Sequence, residues 1–306
     1  MSQAAFLNEG DQIRIISTAR KISQDELTPA IRMLKSWGLK VSLGENIQAV
    51  SHQFAGTKAQ RQHDLQTALD DPNVKAILCA RGGYGTIQLI DELDFTAFRI
   101  HPKWLIGYSD ITALHNHINQ NFGIETLHAT MPINFPIDTI ENKSTQSLKD
   151  SLFGVNQTYE FEAKSPSLLN FESLEGRLYG GNLSIIYSLT GTSSQLKKEN
   201  SILFFEDLDE YLYHIDRMLM NLRRAGLFNG CKAVIVGGMS DMNDNTVPYG
   251  ATAEEIIKEN LEEYGIPVIF GFPAGHVEPN LALRMGAKVR LENKNGQIKL
   301  VFNGRA

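Results

Sequence analysis

Apolar and polar positions follow two different rhythms along the first half of the chain. Residues 13–17 form a short β-rich run, and residues 26–37 place Leu27, Ile31 and Leu34 at helical spacing before Gly38 stops the pattern. A second strand is predicted at 40–43, a helix at 59–69, and an apolar strand at 74–79 that runs into Arg81-Gly82-Gly83-Tyr84-Gly85. A further helix is predicted to begin near Thr86, a strand at 103–107, and a helix over 111–120. Strands alternating with helices predict a mostly parallel sheet with helices on both faces.

The rhythm breaks over residues 137–171, which are polar, contain prolines and hold no sustained period. This stretch reads as a linker region with one edge strand at 158–163. From about Glu175 the alternation resumes, through 178–189, a strand at 201–205, a helix at 211–225, a strand at 233–237, a helix at 252–264 and a strand at 267–271. A closing strand is predicted at 298–302. The expected fold class is therefore α/β. It comprises an N-terminal parallel-sheet domain (1–136), a linker region (137–174) and a second, smaller C-terminal α/β domain (175–306). A chain of 306 residues is long for one core, which agrees with two domains.

Composition narrows the classes of function. The net charge of -6 argues against a nucleic-acid partner, because phosphate binding needs clustered Lys and Arg. No apolar stretch is long enough to span a bilayer, so no membrane association is expected. The first residues lack the basic and apolar segments of a secretory signal. Cys79 and Cys231 each sit at or beside a short apolar run and read as buried free thiols, which suits a reducing cytoplasm.

The sharpest chemical signal is WLIGYSDITALHNHI, where an apolar strand enters Gly107-Tyr108-Ser109-Asp110 and a helix leaves at once. A serine on a tight strand-to-helix turn projects its hydroxyl beside free helix N–H groups that can stabilise an oxyanion. The pattern is not Gly-x-Ser-x-Gly, because Ile111 occupies the last position. Taken alone, the segment fits equally a Ser109 or Asp110 that caps the next helix, the commoner role of such residues.

A nucleophilic serine needs a base and a group to orient it. Of the eight histidines, His115 and His117 are two apart on one predicted helix and cannot form a metal pair. His52, His63 and His101 lie in polar surroundings; His128 and His214 are harder to set aside as bases, though each could be a satisfied buried imidazole. His276 lies in GFPAGHVEPN, a loop just past an apolar run, where a rigid strand can position a base. A turn histidine bonded to backbone is the alternative. Glu206 is the best orienting carboxylate, because it ends the apolar run 202–205, where a charge is costly without a partner. Asp207, Asp209 and Glu210 read as acidic capping of the next helix. Ser109, Glu206 and His276 thus fall at the carboxyl ends of predicted strands, where α/β folds gather their sites.

The glycine-rich loop follows a strand as a dinucleotide fingerprint would, but Gly83-x-Gly85-x-x ends on Gln88, so the fingerprint is incomplete. Its glycines can instead bring backbone N–H groups to a substrate or oxyanion, and Gly180-Gly181-Asn182 offers a second such loop, though a turn before a helix explains it equally well. No group of residues has metal-ligand spacing, and no cofactor is expected.

Six blocks occur in order: QFAGTKAQRQHDL, ARGGYGT, IGYSD, YGGNLS, FFEDLDEYLYHIDRML and FPAGHVEPNLALRMGA. Together they resemble the LD-carboxypeptidase family of serine peptidases, which includes the microcin-immunity peptidases. The resemblance implies Ser109 as nucleophile, His276 as general base and Glu206 as its orienting group. It also implies an oxyanion hole from the Gly83 and Asp110 N–H groups, and a nucleotide-binding-like α/β domain joined to a smaller one. Implied substrates are murein tetrapeptides, cut before the terminal D-alanine, and the implied assembly is a homodimer. Arg81, with Tyr84 and Asn182, is assigned to substrate binding, and on charge matching alone Arg81 or another basic group could hold a terminal carboxylate. The family's first strand usually leads into an Ala-Pro-Ser turn, whereas this chain has Ser17-Thr18-Ala19-Arg20, a segment that could line the pocket. Cleavage of aminoacyl-adenylate-like amides by an immunity-type peptidase is the alternative within the class. Non-catalytic binding of muropeptides or nucleotides on the same scaffold is the alternative outside it.

Overall fold

The computed structural model describes residues 2–197 and 199–302; the extreme ends of the two expected domains, Met1 and 303–306, lie outside the described residues. The first sheet is built from β1 (Gln12–Ile16), β2 (Lys40–Leu43), β3 (Val74–Cys79), β4 (Trp104–Gly107) and β5 (Thr126–His128). Between them run α1 (Gln24–Ser36), α2 (Lys58–Asp70), the short α3 (Thr96–Ile100) and α4 (Thr112–Asn121). Capping boxes at Ser23/Glu26 and Thr57/Gln60 start α1 and α2, satisfying N–H groups that the first turn leaves free.

The five strands are parallel in the order β5-β4-β3-β1-β2. Alternate side chains of β3 enter opposite cores. Ala76 and Leu78 pack with Leu27 and Leu34 on one face, and Ile77 and Cys79 with Leu65 and Leu69 on the other. This double coverage explains why β3 and β4 read as nearly continuous apolar runs. From β1 the chain goes to β2 on one side, while β3 leads to β4 and β5 on the other. The carboxyl ends of β1 and β3 therefore flank a topological switch point, where this architecture opens a crevice.

The stretch expected to be a linker with one edge strand holds more structure. It contains α5 (Lys143–Phe153), β6 (Thr158–Glu162) and β7 (Lys164–Leu168), and the two strands close opposite edges of the second sheet. The sequence KSTQSLKDSLF hides its helix because Leu148 and Leu152 are its only buried large apolar residues. Its ends carry the signal instead: an Asn142/Thr145 capping box and Gly154 in the left-handed region.

The second half adds β8 (Ser173–Asn182), α6 (Leu183–Ser188), β9 (Ser201–Leu208), α7 (Leu212–Arg224), β10 (Cys231–Ser240), α8 (Ala253–Glu262), β11 (Val268–Phe270), β12 (Leu283–Met285), β13 (Lys288–Lys294) and β14 (Gln297–Phe302). The second sheet runs β6-β14-β13-β8-β9-β10-β11-β7, with β8 to β11 parallel. The closing strand expected at 298–302 is β14, the hairpin partner of β13. The buried stripe Ile215, Met218, Leu219 and Leu222 lays α7 against this sheet at helical spacing. One strand crosses between the halves: β12 pairs antiparallel with β5 at the edge of the first sheet. Cys79 and Cys231 are free and buried, and among the described residues no helix is long and apolar enough to cross a membrane.

Candidate active site

All four residues of β4 are buried, and the strand ends in a sharp turn. Tyr108 is extended, and Ser109 takes φ 62°, a left-handed conformation that costs a side-chain-bearing residue about 1–2 kcal/mol. A 3-10 turn over Ser109–Ile111 then feeds α4. No side chain caps either the 3-10 turn or α4, so the capping alternative for Ser109 and Asp110 does not describe this structure. Asp110 reaches the other way. Its Oδ2 accepts the Thr86 N–H at 2.8 Å, which ties the serine turn to the exit of the glycine-rich loop. Burial pushes the Asp110 carboxyl above the usual carboxylate range, against the Thr86 hydrogen bonds and the Arg61 charge.

The glycine-rich loop lies directly on this turn. A Cβ on Gly82 would stand 2.9 Å from Ser109 Cβ and 3.1 Å from Oγ, so only glycine permits the approach. The Gly83 and Asp110 N–H groups donate to no acceptor among the described residues and remain available. Instead of the helix expected near Thr86, two 3-10 turns follow, Thr86–Gln88 and Ile90–Glu92. The loop is held by Arg61, a buried residue of α2. Its Nη1 donates to the Thr18 and Gly85 carbonyls at 2.7 and 3.0 Å, and its Nη2 to Gln88 at 2.8 Å. Nothing in the sequence around Arg61 sets it apart from the polar positions of its helix.

From the second sheet, Glu206 is fully buried within β9, and His276 lies between β11 and β12. The Nδ1 of His276 is 2.6 Å from Glu206 Oε2, which also accepts the His276 N–H at 3.2 Å. A Cβ on Gly275 would come within 2.6 Å of that same carboxylate. Three further bonds fix the loop: Gly275 N–H to Asn280 Oδ1 (2.9 Å), Asn280 N–H to Ser144 Oγ (2.8 Å), and Ser240 Oγ to the His276 carbonyl (2.8 Å). Burial pulls the His276 pKa down. The hydrogen bond to Glu206, its charge and that of Asp207 outweigh burial and hold it above the ordinary imidazole value. Asp207 is pushed up to about 7 by burial and by the neighbouring Glu206 charge.

Ser109, Asp110, His276, Arg81, Gly83 and Asn182 all line one cavity of about 530 Å³ between the two sheets. Glu206 stands behind His276 rather than in the wall. Among the described residues no hydrogen bond joins Ser109 to His276. Asn182 spends its side chain on structure, donating to Asp207 and accepting from Ser184 and Ile185. Tyr84 does not reach the cavity; it is exposed and lies against Phe54 at 6.2 Å between ring centroids. Arg20 does line it, as the departing turn after β1 had suggested, and so do Asp207, Asp209 and Glu210 rather than serving as helix caps.

The other histidines have separate roles. His115 contacts the Gly107 carbonyl at 2.9 Å and His214 contacts Glu210 at 2.6 Å. His128 is buried, but neither ring nitrogen has a hydrogen-bond partner, contrary to the satisfied imidazole expected. Burial holds it neutral, well below the ordinary value, with the nearby His115 and His276 acting in the same direction.

The sequence model of the LD-carboxypeptidase N-terminal domain matches residues 13–129, and that of the C-terminal domain matches residues 175–291. The chain is 35% identical over 290 residues to a probable murein peptide carboxypeptidase of Bacillus subtilis, covering 93% of this chain and 90% of that protein. A muramoyltetrapeptide carboxypeptidase structure from Oxalobacter formigenes is similar with a TM-score of 0.85 and 26% identity, over 96% of this chain and 100% of that one. A MccF-like protein structure from Bacillus anthracis is similar with a TM-score of 0.84 and 25% identity, over the whole of both chains.

Proposed function

The chain belongs to the LD-carboxypeptidase family, and we propose that it hydrolyses the bond before the terminal D-alanine of murein tetrapeptides through Ser109, His276 and Glu206. The observation that carries this reading is the buried Glu206 on His276 Nδ1 at 2.6 Å, with the ring facing a cavity that Ser109 shares. A carboxylate on Nδ1 holds the proton there and leaves Nε2 unprotonated, the form a general base needs.

In the proposed reaction, substrate brings the Ser109 hydroxyl and His276 Nε2 into hydrogen-bond reach, a contact that commonly tightens only in the complex. Nε2 takes the hydroxyl proton as Oγ adds to the scissile carbonyl carbon. The imidazolium so formed faces Glu206, and the carbonyl oxygen, now an anion, accepts from the free Gly83 and Asp110 N–H groups. Collapse of the tetrahedral intermediate breaks the C–N bond, and Nε2 returns its proton to the leaving amine. Water then attacks the Ser109 ester by the same route, with Nε2 again accepting and returning a proton. The left-handed Ser109 supports this role, because strain at a strand-to-helix turn is what lifts a nucleophile out of the backbone.

The reading includes a homodimer acting on small muropeptides in the cytoplasm. The free buried cysteines suit that compartment, and sedimentation tests the assembly. The deciding experiment compares a murein tetrapeptide with an aminoacyl-sulfamoyl adenosine. D-Alanine should be released from the first, with kcat/KM well above that for the second, and Ser109→Ala should abolish it. Preference for the adenylate analogue would assign the immunity-type activity instead.

A further inference from the structure

Six charged side chains line the cavity besides His276: Arg20, Arg81, Asp110, Asp207, Asp209 and Glu210. Five of them are already engaged. Asp110 accepts from Thr86, and Asp207 from Asn182, Ser184 and Leu208. Asp209 accepts from Asn243, Glu210 contacts His214, and Arg81 faces Glu26 at 3.8 Å. Arg20 is different. Among the described residues its guanidinium has neither an acidic partner nor a hydrogen-bond acceptor.

The placement of Arg20 follows from the switch point. The turn after β1 sets its backbone against the glycine-rich loop, with Arg20 N–H directed at the Gly82 carbonyl at 3.4 Å. Its stem crosses Gly83, where an added Cβ would stand 2.6 Å from Arg20 Cδ and 2.8 Å from Nε. Gly82, the next residue back, lies against Ser109. An uncompensated cation thus sits one loop residue from the nucleophile, on the side of the free Gly83 N–H. The acidic side chains of Asp207, Asp209 and Glu210 stand in the part of the wall that comes from the second sheet.

We propose that Arg20 binds the free C-terminal carboxylate of the peptide, which makes Arg20 a determinant of exopeptidase specificity. This inference rests on the serine-peptidase reading of the cavity. In a peptide cut before its last residue, the carboxylate lies within one residue's reach of the scissile carbonyl, about 3.5 Å along the chain. A group that selects such peptides must therefore stand next to the oxyanion donors. Arginine's planar fork matches a carboxylate with two parallel hydrogen bonds, and a fork without an internal partner gives up no bond within the protein to make them. The acids on the other part of the wall repel the carboxylate and set the peptide's direction in the cleft.

Binding measured by calorimetry in the Ser109→Ala background tests this without requiring turnover. The probes are a murein tetrapeptide ending in free D-alanine and the same peptide as its C-terminal amide. The acid should bind more tightly than the amide by on the order of 10- to 100-fold. Adding Arg20→Gln should reduce that preference to within about threefold, Arg20→Lys should retain part of it, and Arg81→Gln most of it. Arg20 is exposed, and thermal melting of each variant confirms that it folds. A preference that survives Arg20→Gln in folded protein, one lost only with Arg81→Gln, or no preference at the outset would overturn the assignment, as would failure of the free acid to bind. Turnover by the chain with Ser109 intact is read separately. Its absence, with the Arg20-dependent preference present, would refute the catalytic reading and leave the carboxylate site standing.

Discussion

Replacing Glu206 by Gln tests the pair on which the proposed chemistry turns. Glu206 is fully buried, and the His276 side chain facing it is 16% exposed, so water screens their interaction little. With charge centres about 4 Å apart and an effective dielectric near 20, an imidazolium facing this carboxylate gains about 4 kcal/mol. That stabilisation is absent while the base is neutral and appears as the proton arrives, so its loss should lower kcat by roughly 10³-fold. Glutamine cannot restore it in either orientation. With its oxygen toward Nδ1, its amide group occupies the place of Oε1, which has no hydrogen-bond partner. With its amide toward Nδ1, it meets the His276 N–H and favours the wrong tautomer. The pH profile gives a second readout. Glu206 is the main cause lifting His276 above the ordinary imidazole value, and burial alone would lower it. The rising limb of kcat against pH, with a midpoint above about 6.5 in the native enzyme, should therefore move below 6.5 in Glu206→Gln. The variant should stay slow at pH 8, where its base is already neutral. A kcat within threefold of native, or a limb that stays or moves upward, would refute the argument.

Three other outcomes follow from particular contacts. Ser109→Ala and Ser109→Gly should both lose kcat by on the order of 10⁴ or more, yet the glycine variant should be more stable by about 1 kcal/mol, because only alanine keeps the left-handed strain; denaturant titration reads the difference. Asn280→Ala removes the acceptor of the Gly275 N–H and should cost about 1–3 kcal/mol of stability while lowering kcat more than it raises KM, which steady-state kinetics will show. Between pH 6.5 and 8 the contribution of His276 and Asp207 to the unfolding free energy should fall, because His276, raised in the fold, keeps a proton that the unfolded chain has already lost, and Asp207, at about 7 in the fold, does the same over the lower part of that range; His115, His117 and His128, lowered in the fold, contribute in the opposite sense. Guanidinium titrations of the native chain and of His276→Ala at the two pH values isolate the His276 part, and a native chain that loses no more stability than the variant would contradict the assignment.

The parts of the site that were readable in the sequence are those whose signal is local. Ser109 stands where an apolar strand meets a helix with a glycine between, and Glu206 ends a run of buried residues. His276 follows the last strand of a parallel set. Each can be found from its own flanks. The illegible parts depend on partners distant in sequence. Arg61 is one polar residue among many on α2 until the loops after β1 and β3 fold onto its guanidinium. Asp110 looks like a helix cap and becomes a tie to Thr86 only because β3 and β4 are neighbours. The segment 137–171 reads as linker because α5 owes its place to polar bonds. Ser144 and Ser147 there accept the Asn280 and Ala282 N–H groups, more than a hundred residues away, and so hold the far end of the His276 loop.

The same loop shows how two sheets can hold one candidate active site. It leaves the second sheet at β11 and ends in β12, which belongs to the first sheet. There Leu283 is paired with His128, and His128 on its other side with Gly107, two residues before Ser109. His128 is therefore the common rung between the strand that delivers the serine and the strand that anchors the histidine loop. Its ring packs between Tyr108 at 5.9 Å and Phe204 at 5.2 Å, the latter two residues before Glu206. Thr112 adds a second tie, its Oγ1 accepting the Asn182 N–H at 3.0 Å where α4 meets β8. Each of these links is a backbone hydrogen bond or a buried contact, and loosening them would expose apolar surface from both cores. Strand pairing thus ties the turn that carries Ser109 to the loop that carries His276. On the proposed mechanism, hydroxyl and imidazole are expected to meet by side-chain rotation when substrate fills the cleft, without movement of one half against the other.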